Sequence, residues 1–133
     1  MTALHAAVYR RSGGRILGGF RRTRFLLLET TGRRSGKRRV TPLNHVTDGD
    51  AFVVVASNGG AARHPDWYLN LLAEPRATVQ VGGRRVGVVA ETVEGDERAR
   101  LWRAAQASWR YYDDYQRRTD REIPVVRLRP APA

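Results

Sequence analysis

The spacing of apolar positions changes several times along the chain, and each change marks an element. Residues 3–11 read as a short helix ended by Ser12-Gly13-Gly14, and residues 15–24 mix arginines with Ile16, Leu17 and Phe20 in a basic amphipathic stretch. That stretch would pack against the body of the protein or touch a membrane surface. From Phe25 the pattern turns to strands. Phe25–Thr31 is an apolar run, 32–37 a turn, and Arg39–Val46 a second strand, together a hairpin across a basic loop. Asp48-Gly49-Asp50 signals another tight turn before Ala51–Ser57, the strongest buried-strand run, which Asn58-Gly59-Gly60 breaks. Pro65 and Asp66 then open a helix with Trp67, Leu71 and Leu72 inward, stopped by Pro75. Thr78–Val81 and Arg84–Val93 form a hairpin about Gly82-Gly83. Glu94–Ala107 is a helix, Tyr111–Arg118 a short aromatic helix or turn, and Ile123–Leu128 a last strand.

About six strands and three helices result, joined by antiparallel hairpins and not by strand–helix–strand crossovers. That pattern argues against a Rossmann fold and predicts an α+β, mainly antiparallel protein: a small β-barrel with appended helices. With 133 residues there is room for one such domain. It would span 25–133, with 1–24 a basic N-terminal arm.

Composition narrows the chemistry. The absence of cysteine removes disulfides, thiol catalysis and Cys-based metal sites, and three scattered histidines (His5, His45, His64) argue against any metal. No apolar run reaches the ~20 residues that span a bilayer, and no signal-peptide core is visible, so a cytoplasmic location is expected. The formal charge is +11, and residues 1–39 carry eleven basic residues against one acid, Glu29. Arginine bias explains 23 Arg to one Lys but not why acids avoid this third of the chain. Such a field attracts phosphate esters, nucleic acid or an acidic lipid surface. No nucleic-acid-binding signature accompanies it, so nucleic acid is not expected as a partner.

Three segments carry the candidate chemistry. Thr30–Arg39 (TTGRRSGKRR) combines glycines, hydroxyls and up to five cations in one hairpin loop, and glycines let the main chain approach an anion closely. It lacks P-loop spacing, and by itself it also reads as a solvated basic turn. ASNGGAARHPDWYLNLLAEP sets a strand end, a glycine elbow and a helix N-terminus in sequence, which would offer backbone amides to a ligand, although an ordinary connection with Trp67 in the core has the same pattern. In Trp109–Pro124 the aromatics Trp109, Tyr112 and Tyr115 fall three apart, on one helical face, as a core stripe or as the wall of a pocket.

Taken in order and in register, TTGRRSGKRR, ASNGGAARHPDWYLNLLAEP and DYQRRTDREIPVVRL closely resemble the deazaflavin (coenzyme F420)-dependent nitroreductase family, from about Phe25 to Pro130. The resemblance implies a split β-barrel that binds F420, a flavin-like hydride carrier whose tail bears a phosphodiester and a polyglutamate chain. FMN, bound by related split barrels, is the alternative cofactor. The family's tail-binding positions fall on Arg33, Arg34, Ser35, Lys37 and Arg39. Its ring and linker contacts fall around Pro42, Ala56, Ser57, Asn58, Gly59, Trp67, Tyr68 and Asn70, and its substrate side on Ser57, Trp109, Tyr112 and Tyr115. Trp109 stands where the members that reduce nitro-prodrugs have Tyr, which bears on the acceptor and not on the cofactor. The implied activity is hydride transfer from F420H2 to a quinone, nitroaromatic or similar planar electrophile, with Tyr115 or Ser57 as hydrogen-bond or proton donor. A non-catalytic F420 or FMN carrier is the alternative. Peripheral membrane contact through the basic arm and a homodimer are the further expectations.

Overall fold

The computed structural model describes residues 25–132. Seven strands form one antiparallel sheet: β1 (Phe25–Thr31), β2 (Arg38–Asn44), β3 (Val46–Asp48), β4 (Ala51–Val55), β5 (Arg76–Val81), β6 (Arg84–Thr92) and β7 (Val125–Pro130). Their spatial order is β2-β1-β5-β6-β7-β4-β3. Three helices accompany them: α1 (Asp66–Ala73), α2 (Gly95–Ser108) and α3 (Tyr112–Arg117), with a 3-10 turn at Asn58–Gly60. This is the α+β split-barrel architecture that the hairpin pattern and the resemblance predict.

The extra strand has a plain cause. The predicted strand Arg39–Val46 divides at His45, because residues before it pair with β1 while Val46–Asp48 pair with β4. The two pieces are opposite edges of the sheet, so the curled sheet meets itself at His45 and leaves a seam there.

Alternation along β4 explains its unbroken apolar run. Phe52, Val54 and Ala56 join Leu26, Leu28 and Leu128 in the barrel core, into which α1 sets Trp67, Tyr68 and Leu71. Val53 and Val55 face the other way, toward Leu101 of α2 and Tyr112 of α3. Both faces are covered, so no position needs to be polar.

The outer face of β7 carries Arg127, only 8% exposed, which donates to Glu91 of β6 (2.7 Å) and to Glu97 of α2 (2.8 Å) and Asp48 of β3 (3.1 Å). Arg100 reaches the same Asp48 and Glu97, so α2 is tied to three strands by one ionic network.

The aromatic stripe is rearranged relative to the expectation of one helical face. Trp109 is extended (φ −139°, ψ 95°) and ends α2, and α3 starts only at Tyr112. Trp109 and Tyr115 nonetheless pack on one cluster with Tyr112, Val55 and Ile123, reached from two helices instead of one. The N-terminal arm read over 1–24 lies outside the described residues. No described helix is long and apolar enough to cross a membrane.

Candidate functional site

The seam opens as a cleft of about 430 Å³, a volume suited to a small organic ligand. Thr41 and Leu43 of β2 form one wall, Val55 and the turn Ser57–Gly59 another, and Pro65, Asp66 and Trp67 the third. Pro65 caps α1 in extended conformation (φ −67°, ψ 152°), so the helix begins at the cleft with its positive end toward it.

The turn after β4 is unusual backbone. Ser57 is right-handed helical (φ −75°, ψ −34°), and Asn58, Gly59 and Gly60 follow with φ of 47°, 63° and 84°. Gly60 is required by its neighbour as well as its φ: a Cβ there would stand 2.8 Å from the Tyr115 carbonyl oxygen. The turn and α3 are thereby pressed together, which brings the aromatic cluster up behind the cleft. Behind the same turn lies Arg121. Its guanidinium donates to the carbonyls of Ser57 (2.8 Å), Ala61 (2.9 Å) and Ala56 (3.2 Å) and to His64 Nδ1 (2.9 Å). Burial lowers the Arg121 pKa. Burial first, then the Arg121 charge, hold His64 below the ordinary imidazole range, so its Nδ1 is free to accept.

At the other end of the cleft sits the basic hairpin. Asn70, buried in α1, accepts from the Arg33 backbone N–H (3.1 Å) and Nη1 (3.0 Å) and donates to Thr30 Oγ1 (3.3 Å). Arg33 also reaches the cleft-lining Asp66 (3.3 Å). The hairpin is thus bolted to the helix that walls the cleft. Within the loop, Gly32 donates to Lys37 O (2.7 Å) and Ser35 Oγ accepts from Lys37 N–H (3.1 Å). Alternation puts Arg39 on the same face of β2 as Thr41 and Leu43, one step outward along the wall. Arg34, Lys37 and Arg39 make no ion pair with any described carboxylate, whereas Arg38 is held by Glu29 (3.1 Å). The hairpin that Arg33 ties to the cleft wall thus carries three cations without a described carboxylate partner.

The structure therefore gathers Ser57, Asn58, Gly59 and Trp67 in the cleft wall, and ties Arg33 to that wall through Asp66 and Asn70, while Arg34, Ser35, Lys37 and Arg39 belong to the hairpin that Arg33 anchors. Ala56 and Asn70 lie buried just behind. Tyr68 is buried too, its hydroxyl spent on Thr92 (2.8 Å). Pro42 points to the opposite face of β2, opposite Leu27. Tyr112 is a core residue whose hydroxyl is pushed up to about 12, by burial first and then by Tyr115. Sequence reasoning missed Thr41, Leu43, Asp66, Arg121 and His64. The period-two step from Arg39 points to Thr41 and Leu43. Nothing local marks Arg121, whose partners lie about sixty residues upstream. Among the described residues no cluster of His, Asp or Glu could hold a metal ion.

Comparison with known proteins bears on the same site. Residues 1–130 match the family model described as F420H(2)-dependent quinone reductase. The F420H(2)-dependent quinone reductase of Mycobacterium tuberculosis H37Rv is 44% identical over 131 residues, 94% of this chain and 87% of that one. A solved F420-H2 dependent reductase (FDR-A) superposes with a TM-score of 0.74 at 40% identity, covering 79% of this chain and 93% of the other. A second solved structure, described as a domain-swapped dimer, has the same TM-score and identity and covers 79% of each chain. The chain belongs to the F420H2-dependent quinone reductase family.

Proposed function

We propose that the cleft and its hairpin bind reduced F420, tail outward, for hydride transfer to a quinone. The observation that carries this reading is the union of two anion-attracting features: the helix start and strained turn in the cleft wall, and a hairpin of three cations without a described carboxylate partner that Arg33 ties to that wall. A planar ring fits a cleft walled by Leu43, Val55 and Trp67, and a phosphodiester–polyglutamate tail matches Arg34, Lys37 and Arg39.

When bound, reduced F420 supplies the hydride; the quinone gains it together with a proton and leaves as the quinol. The chain's part is orientation and electrostatics. Arg33 keeps the hairpin aligned through Asn70, and the hairpin cations hold the tail against dissociation. The turn at Ser57–Gly59 and the N-terminus of α1, both lining the cleft, would hold the ring and favour charge developing on it. Ser57, which lines the cleft, and Tyr115, in the aromatic cluster behind it, are the proposed hydrogen-bond donors to the quinone oxygen, with solvent as the alternative proton source. Unchanged turnover in Tyr115→Phe would remove Tyr115 from that role.

Fluorescence titration with oxidised F420, with FMN in parallel, tests the reading directly. Binding of F420 that is tighter than FMN and weakens as salt rises is expected. Preference for FMN, or affinity indifferent to salt, would overturn the assignment of the hairpin to the tail. A second copy of this chain is a candidate partner, supported by the relative described as a domain-swapped dimer.

A further inference from the structure

We infer that Arg121 is the positioning residue of the cofactor site: it holds the segment Ala56–His64 so that the Ser57 and Asn58 amides face into the cleft. The inference rests on the reading of the cleft as the F420 site, and it concerns a residue that does not line the cleft at all.

The first ground is the guanidinium's surroundings. Arg121 is half-buried, forms no ion pair with a described carboxylate, and spends its donors on three carbonyls and one imidazole nitrogen, all between Ala56 and His64. A desolvated cation without a counterion is costly unless dipoles replace it. Here the negative ends of three peptide dipoles do so, and a neutral His64 supplies the fourth acceptor.

The second ground is peptide geometry. The described chain has no cis peptide, and the C=O and N–H of a trans peptide point in opposite directions. The Ala56 and Ser57 carbonyls point at Arg121, so the N–H groups of the same two peptides, those of Ser57 and Asn58, point away from it. Ser57 and Asn58 line the cleft, whereas Arg121 does not. A right-handed residue followed by one at positive φ, as in Ser57-Asn58, sets successive amides into a concavity suited to an anionic or carbonyl oxygen. Guanidinium hydrogen bonds to the carbonyl ends also polarise these peptides and strengthen their donors.

The third ground is strain. Asn58 is the one described non-glycine residue at positive φ, a conformation that persists where the surroundings over-determine it. The Ser57 carbonyl accepts from both Arg121 and the Gly60 N–H (2.8 Å), which fixes the peptide on the N-terminal side of Asn58. Lysine could not replace this clamp, since one ammonium cannot span carbonyls that a planar fork reaches at once.

Arg121→Lys tests the assignment in the full chain, with oxidised F420 as probe across a salt series and amide hydrogen exchange read at residues 57–60. Expected are an affinity loss of about tenfold to a hundredfold and faster exchange at the turn, with the slope of log Kd against log salt unchanged because the hairpin still grips the tail. Arg34→Gln should do the reverse, lowering the slope and leaving the turn's exchange alone. If the lysine variant does not fold, His64→Ala serves in its place, with a several-fold loss of the same pattern. Parental affinity despite faster exchange, or a loss accompanied by a smaller salt slope, would overturn the role of Arg121. Failure of the parent chain to bind F420 would instead overturn the reading on which it rests.

Discussion

Asn58, Gly59 and Gly60 share a left-handed backbone, but their surroundings make them unequal. A Cβ on Gly59 meets open space, so Gly59→Ala should cost only the conformational penalty, about 1–2 kcal/mol. On Gly60 it meets the Tyr115 carbonyl at 2.8 Å and the Arg118 Cβ at 3.0 Å, and a backbone oxygen cannot swing away. Gly60→Ala should therefore lose roughly another 1–3 kcal/mol from overpacking, read as a clearly larger drop in Tm. Asn70→Leu is the second test at this scale. It orphans the Arg33 N–H and should cost about 1–3 kcal/mol while weakening F420 binding through the hairpin, by fluorescence titration. Asn70 also shows the limit of reading residues in sequence. The family resemblance names it a ligand contact, yet its polar atoms are engaged by Thr30 and Arg33. Partners 37 and 40 residues away leave no local trace.

At the scale of elements, α2 is held by charge as much as by Leu101. Hydrogen bonds from Arg100 and then Arg127 hold the Glu97 carboxyl down from 4.5 to about 2, and Asp48 and Glu91 are lowered by the same arginines and Arg129. Carboxylates depressed in the folded state stabilise it above their unfolded pKa and lose that contribution as pH falls through the folded one. The part of Tm that these carboxylates supply should therefore hold steady down to about pH 4.5 and fall between there and about pH 2. Glu97→Gln should lower Tm at neutral pH and flatten that acid limb, both measurable by circular dichroism. The elements themselves were largely legible. β1, the β5–β6 hairpin and α1 lie within a few residues of the pattern's own boundaries because turn glycines and prolines mark them. The division of β2 from β3 was not, because both halves alternate correctly as strands and only their partners differ. The break of the aromatic stripe at Trp109 was hidden likewise: three-residue spacing is helical whether or not the helix continues.

For the molecule as a whole, the charge asymmetry was readable and its use was not. Sequence counts the cations, while folding decides that Glu29, buried on β1, takes Arg38 and Arg85 and leaves Arg34, Lys37 and Arg39 without a described carboxylate partner. Raising salt should accordingly weaken F420 binding far more than it lowers Tm, since the fold rests on its apolar core and its main ion pairs centre on the buried Glu29 and Arg127.

The sheet order has a consequence for how the protein is made. The β3–β4 hairpin is hydrogen-bonded to the remaining strands only through β7, and Arg121 lies just before that strand. A ribosome therefore finishes every cleft-lining residue by Trp67 but cannot assemble the cleft until Arg121 and β7 have emerged. A chain stopped at Arg118 should carry the whole basic hairpin and yet fail to quench F420 fluorescence with the salt-dependent affinity of the full chain. Cofactor capture is in effect a signal that β7 has arrived.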